Sequence, residues 1–182
     1  MPILDGHTLD LISHSPAQTR RFGVRLGGLL QAGDLVCLEG GLGTGKTCLV
    51  QGIGRGMGVA EPITSPSFTL IAEHRPAQIS IAETAADGEP GGSAAPVLYH
   101  VDLYRLQTAV EEARGFGLED YILSDGVCVI EWAERAEPIL PQERLWVALR
   151  YVDQSKRGLM IRATGARYDE LLQKFRLSAF GV

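Results

Sequence analysis

The segment Gly40-Gly41-Leu42-Gly43-Thr44-Gly45-Lys46-Thr47 lies between an apolar run, Leu35-Val36-Cys37-Leu38, and a stretch in which Leu49, Val50, Ile53 and Met57 recur at helical spacing. A short continuous apolar run reads as a strand buried on both faces, the kind found in parallel sheets covered by helices. The chain must leave that strand, turn through glycines and enter a helix at once. This is the context that the spacing G-x-x-x-x-G-K-[ST] requires. Glycines in unusual φ/ψ let backbone N–H groups converge at the helix N-terminus, where the helix dipole also favours an anion. In such a loop the lysine, here Lys46, reaches the β- and γ-phosphates, and the hydroxyl, here Thr47, takes a place on Mg²⁺. The pattern implies a nucleoside triphosphatase or a kinase, with Gly41, Leu42, Gly43, Thr44, Gly45, Lys46, Thr47 and Cys48 as candidate nucleotide contacts.

The rest of the chain reads as strands alternating with helices. Ser15-Pro16 is an N-cap with proline at the first helical position, and Phe22, Leu26, Leu29 and Leu30 follow at helical spacing up to Gly33. The glycines at 52, 54 and 56 weaken the helix after the loop by propensity, so packing or bound nucleotide must help to hold it. Two further apolar strands end in acids: Val97-Leu98-Tyr99-His100-Val101 before Asp102, and Val127-Cys128-Val129-Ile130 before Glu131. Between them Thr108 to Glu111 reads as a capping box and Ser124-Asp125-Gly126 as a turn. Alternation at Leu145, Val147, Leu149 and Tyr151, a polar turn over 153–157 and a return at Leu159-Met160-Ile161 predict an antiparallel hairpin. Tyr168, Leu171, Leu172 and Phe175 line a closing helix. The expectation is a layered α/β fold with a mixed sheet. The 182 residues suit one domain, 1–182, with a surface excursion at about 75–96 that is rich in Ala, Gly, Pro and Ser; the alternative for that excursion is a lid over substrate.

Phosphoryl transfer is mostly positioning and charge neutralisation around a metal-bound triphosphate, so carboxylates at the carboxyl ends of strands matter most. Asp102 and Glu131 both occupy such ends, and a solvated strand-terminal acid is the plainer alternative for each. Thr64 to Leu70 supplies hydroxyls and a rigid proline before another strand, which suits a γ-phosphate-sensing switch or an ordinary turn. His100 either assists Asp102 or is packed in the core. The net charge of −5 argues against a chain that grips nucleic acid by its phosphates alone, and the arginines read as scattered surface charge. Three cysteines without metal or disulfide spacing read as packing residues, although Cys48, in the first turn of the loop helix, has a place where a thiol could be activated. Neither a secretion signal nor a membrane-length apolar run is evident, so a soluble cytoplasmic protein is expected.

The loop, Ser65-Pro66-Ser67-Phe68-Thr69-Leu70, His100-Val101-Asp102-Leu103-Tyr104-Arg105-Leu106, Gly117-Leu118 and Ile130-Glu131-Trp132 occur in an order that resembles the TsaE (YjeE) family over roughly residues 15–149. The loop by itself is generic; H-x-D-L-Y-R-L and I-E-W behind it are specific. The resemblance implies a three-layer P-loop NTPase-like α/β fold with a mixed, mainly parallel sheet plus a C-terminal antiparallel hairpin. It also implies an ATPase that uses ATP and Mg²⁺ and works with the TsaD and TsaB proteins in threonylcarbamoyl modification of a tRNA adenosine beside the anticodon, the tRNA being held through the complex. By the same resemblance Thr47 and Glu131 hold Mg²⁺, Asp102 is the catalytic residue that supports hydrolysis, and Ser15 lies near adenine. Gly41, Thr44, Cys48, Ser67 and Arg75 depart from the residues common in that family, and the excursion bears on how partners are met. A small-molecule kinase is the alternative, with Arg105 and Arg114 as the arginines it would use. A GTPase is excluded in its usual form, since the chain contains no Asn for an N-K-x-D motif.

Overall fold

A computed structural model describes residues 3–77 and 95–181. In chain order the elements are β1 (Ile3–Asp5), β2 (Thr8–Ser13), α1 (Pro16–Gly27), β3 (Leu35–Glu39), α2 (Lys46–Gly56), β4 (Ile71–His74), β5 (Leu98–Asp102), α3 (Ala109–Gly115), α4 (Leu118–Ile122), β6 (Val127–Glu131), β7 (Arg144–Tyr151), β8 (Arg157–Thr164) and α5 (Ala166–Phe180), with 3₁₀ turns at Ala133–Arg135 and Glu137–Ile139. The excursion expected at about 75–96, with its lid alternative, lies outside the described residues except at its ends.

The described strands form one mixed sheet in the order β1-β2-β8-β7-β3-β6-β5-β4. Its centre, β7-β3-β6-β5, is parallel throughout. Antiparallel pairs complete both sides: β4 on β5, and β8, β2 and β1 beyond β7. The expected α/β architecture is present, and the expected hairpin is β7–β8. One strand of that hairpin also pairs with β3, so the hairpin is part of the central sheet and not an appendage.

Period two along the strands sorts the core into two layers. Val36 and Leu38 of β3 face a layer with Phe22, Leu26, Leu49, Val50, Ile53, Leu171 and Phe175 from α1, α2 and α5. Leu35 and Cys37 face the opposite layer with Ala109, Ala113, Leu118, Ile122 and Trp146. Each fully buried Leu, Ile or Phe contributes roughly 1.5–3 kcal/mol relative to exposure. All four apolar residues read on the closing helix are buried.

The glycines of α2 have a packing reason that propensity does not reveal. A Cβ on Gly52 would lie 2.2 Å from Arg20 O and one on Gly56 2.2 Å from Val24 O, so α1 and α2 touch backbone to backbone. A Cβ on Gly54 would meet Ile63 and Leu98 side chains. At α1 the expected cap is present, with Gln18 N donating to Ser15 Oγ at 3.2 Å. At α3 the capping residue is Glu112 rather than Glu111: its Oε1 accepts from the backbone N–H groups of Gln107 and Thr108, both at 2.8 Å. Glu112 stands one position further into the helix than a capping box requires, and one of its carboxylate oxygens serves both N–H groups.

Candidate functional site

The loop between β3 and α2 is held open by backbone geometry. Gly40, Gly43 and Gly45 have φ of 142°, 74° and 100°, a region in which a side chain is strained. A Cβ on Gly40 would also lie 2.4 Å from Leu149 O on β7. Gly45 caps α2 without any side-chain hydrogen bond to the first turn, so no side chain of the loop caps the helix's leading N–H groups. From the far side Arg157 Nε of β8 donates to Gly43 O at 3.1 Å, a brace that the sequence reading did not include.

Lys46 is buried and folded back on the loop. Its Nζ donates to Gly40 O at 2.5 Å and Gly41 O at 2.9 Å, and lies 3.9 Å from the centroid of the Trp132 ring. Burial lowers its pKa, and the charges of Glu131, Glu134 and Asp102 oppose that shift. Trp132 has φ of 60°, a left-handed conformation rare for a bulky residue, which brings its ring onto Lys46 and to 5.0 Å from the Tyr104 ring.

The two strand-end acids stand side by side, since Asp102 and Glu131 are register partners in the parallel β5–β6 pair. Each is 3 % exposed. Glu131 Oε2 accepts from Thr47 Oγ1 at 3.1 Å, which joins the end of β6 to the first turn of α2. Glu131 Oε1 accepts from His100 Nε2 at 2.9 Å. His100 is therefore a buried partner of Glu131 and does not assist Asp102, because its ring reaches across to the neighbouring strand. Asp102 Oδ2 accepts from Ser67 Oγ at 2.8 Å and from Ser65 Oγ, and Oδ1 accepts from Tyr104 N at 2.9 Å. The Ser65 to Ser67 segment thus meets Asp102 through its hydroxyls, a contact that the spacing of the two segments in the chain does not announce.

These groups border one cavity of about 380 Å³, lined on one side by Leu42, Gly43, Gly45, Lys46, Thr47 and Cys48 and on the other by Ser65, Ser67, Asp102, Tyr104, Glu131 and Trp132. A larger cavity of about 670 Å³ between α1 and α2 holds Arg20, Arg21 and Arg55 but neither strand-end acid, so the smaller one is the candidate for chemistry. Ser15 is outside the cavity lining; its hydroxyl oxygen is used by the cap of α1. The start of α1 still adjoins the loop helix, since Cys48 Sγ lies 3.3 Å from Pro16 O. Arg105 is on the surface, stacked 3.8 Å over the exposed Phe68 ring.

Two buried carboxylates beside one ammonium leave negative charge that a cation would neutralise. Among the described residues no three His, Cys, Asp or Glu side chains converge as a metal cage. The hydroxyl of Thr47 and the carboxylate of Glu131 are hard oxygen donors, suited to Mg²⁺, which usually takes one or two protein ligands and completes its shell with water and phosphate oxygens. The residues present fit that ion together with a phosphate-bearing ligand. Cys48 is not activated: burial raises its thiol pKa more than Arg20 lowers it. Among the described residues no helix is long and apolar enough to cross a membrane.

Residues 13–159 match the family described as threonylcarbamoyl adenosine biosynthesis protein TsaE. A tRNA threonylcarbamoyladenosine biosynthesis protein TsaE from Bacillus subtilis is 31 % identical over 160 residues, covering 88 % of this chain and 89 % of that protein. A protein of the same name from Treponema pallidum is 35 % identical over 150 residues, covering 82 % and 97 %. The crystal structure of Bacillus subtilis YdiB superposes with a TM-score of 0.70 at 29 % identity, covering 94 % of this chain and 95 % of that one.

Proposed function

This chain belongs to the TsaE family, and from that premise we propose that it is a cytoplasmic Mg²⁺-dependent ATPase required for threonylcarbamoyl modification of tRNA. In this reading it acts with TsaD and TsaB, and tRNA is held through the complex. The observation that carries the proposal is the Thr47–Glu131 hydrogen bond, which ties the loop side of the cavity to the strand-end acids Glu131 and Asp102 on its other side.

The loop's N–H groups and Lys46 receive the phosphates. Lys46 must exchange the carbonyls of Gly40 and Gly41 for phosphate oxygens. Thr47 and Glu131 would hold Mg²⁺, which when bound neutralises charge on the β- and γ-phosphates. Asp102 takes the catalytic role by orienting the attacking water. Its Oδ2 is shared with Ser65 and Ser67, so this segment is the element through which nucleotide state would reach a partner. Adenine lies toward Ser15 and the start of α1.

The test is ATP hydrolysis by the purified chain with and without Mg²⁺, TsaB and TsaD. Slow basal turnover should rise with the partners, and Lys46→Ala should abolish productive triphosphate binding. A Lys46→Ala variant as active as the wild type would overturn the site, and a depleted strain that keeps normal threonylcarbamoyladenosine would overturn the tRNA role.

A further inference from the structure

Behind the Asp102–Glu131 wall two histidines lie on neighbouring strands. His100 on β5 and His74 on β4 are 0 % and 8 % exposed, with ring centroids 6.3 Å apart. Each ring uses one nitrogen on a carboxylate: His100 Nε2 donates to Glu131 Oε1 at 2.9 Å, and His74 Nδ1 donates to Glu61 Oε1 at 2.8 Å. A carboxylate without a proton accepts at both oxygens, so where each ring holds a single proton that proton is on the nitrogen facing the carboxylate, and the other nitrogen is a lone-pair acceptor. The other nitrogens are His100 Nδ1 and His74 Nε2, and both are buried without a partner among the described residues.

Two acceptors cannot bond each other, and a buried polar atom left unsatisfied is destabilising. A molecule that donates twice satisfies both rings at once, and the smallest is water, which inside proteins typically bonds two to four otherwise unsatisfied polar groups. We propose that one buried water donates to His74 Nε2 and to His100 Nδ1, making an unbroken relay Glu61–His74–water–His100–Glu131, in which His74 and Glu61 are positioning residues for Glu131. The relay locks His100 in the tautomer with its proton on Nε2. That proton pins Oε1 of Glu131 and leaves Oε2 directed to Thr47, where the ion would be held. The side chain of Glu61 is 57 % exposed, so solvent competes for it and its share is smaller than that of His74. The consequence for metal affinity rests on the reading of Glu131 as a Mg²⁺ holder; the tautomers do not.

Long-range ¹H–¹⁵N NMR on the histidine-labelled, nucleotide-free protein tests the relay directly. One tautomer is expected for each ring, with the proton on Nε2 of His100 and on Nδ1 of His74, and both acceptor nitrogens shifted as hydrogen-bonded. Electron paramagnetic resonance titration of Mn²⁺ into the ADP complex gives the second readout. His74→Phe, which keeps the ring's bulk, should weaken Mn²⁺ about tenfold while metal-free ADP affinity stays the same, as loss of an outer partner of a ligand does. His74→Gln, whose amide offers a donor and an acceptor, should recover most of that loss, and Glu61→Gln should shift affinity in the same direction by less. A proton on Nδ1 of His100, or mixed tautomers, overturns the relay. So does a His74→Phe variant whose Mn²⁺ affinity stays within about twofold of wild type. If His74→Phe does not fold, Glu61→Gln on the surface and the tautomers decide; if the wild type binds no nucleotide, the Mg²⁺ reading fails and the tautomers still decide the relay.

Discussion

Glu131→Gln separates the charge of this side chain from its shape. The acid is 3 % exposed and makes two hydrogen bonds, one from His100 Nε2 at 2.9 Å and one from Thr47 Oγ1 at 3.1 Å. Glutamine keeps an oxygen for His100 and turns its NH₂ to the Thr47 hydroxyl, which can accept. Both bonds survive, and one of two adjacent buried acids loses its charge, so folding free energy should change by no more than about 1 kcal/mol. Metal affinity has no such compensation. Weighing the lost charge as one hydrogen bond to a charged group, about 1.5–3 kcal/mol, gives at 1.4 kcal/mol per decade a rise of roughly 10- to 150-fold in the Mg²⁺ concentration needed for turnover. Glu131→Ala adds a fault, since it strands the buried N–H of His100 and should unfold more easily by about 1–3 kcal/mol. ATP hydrolysis against Mg²⁺ concentration and urea unfolding without nucleotide give the two quantities separately. A glutamine variant with wild-type Mg²⁺ dependence would refute the assignment of the ion to this acid. One that lost activity only by losing its fold would refute the hydrogen-bond argument.

Other expectations follow from the packing and the buried groups. Gly52→Ala places a methyl 2.2 Å from Arg20 O, so α1 must move off α2 and stability should fall by about 1–3 kcal/mol in urea unfolding; an unchanged midpoint would mean the helices are not in backbone contact. Ser65→Ala with Ser67→Ala removes both hydroxyls from Asp102 Oδ2 and should cut turnover by about tenfold to a hundredfold with ADP affinity retained, because neither serine belongs to the loop; turnover at the wild-type rate would remove the switch role. Burial pushes the Cys37 thiol from 9.0 up to about 12. Below pH 9 the thiol is neutral in both states, whereas between pH 9 and about 12 only the unfolded chain ionises, so stability falls as pH rises through that window. Cys37→Ala should show a shallower loss between pH 9 and 10 in denaturant unfolding, and parallel curves for the two proteins would contradict the burial argument.

The parts of this fold and site that were legible in the sequence share a physical character: their signal is local. The glycine loop, the N-cap at Ser15, the apolar runs that become β3, β5 and β6, and the acids that end two of them are all decided within a few residues. The unread parts depend on partners far along the chain. Thr8–Ser13 carries the alternation of Leu9 and Leu11, but it becomes β2 by pairing with β8, some 150 residues away. The glycines of α2 look like a weakness until α1 is laid against them. Glu112 displaces Glu111 because the turn before α3 decides where the N–H groups of Gln107 and Thr108 point, and motif spacing ignores that.

His100 shows where a period-two reading stops. Its place on β5 puts it on the same face as Asp102, and that much follows from alternation alone. Which acid it meets depends on register, because the β5–β6 pairing sets Asp102 opposite Glu131 and brings the glutamate of the neighbouring strand within reach of the imidazole. A second register, that of β3 on β6, sets Glu131 opposite Leu38 and so decides that Thr47, at the start of the loop helix, meets Glu131 and not Asp102. A one-residue slip of β6 would send Glu131 to the opposite face and leave both Thr47 and His100 without their acceptor. The division of labour between the two acids, one tied to the loop and one tied to the Ser65–Ser67 segment, is therefore a property of strand pairing.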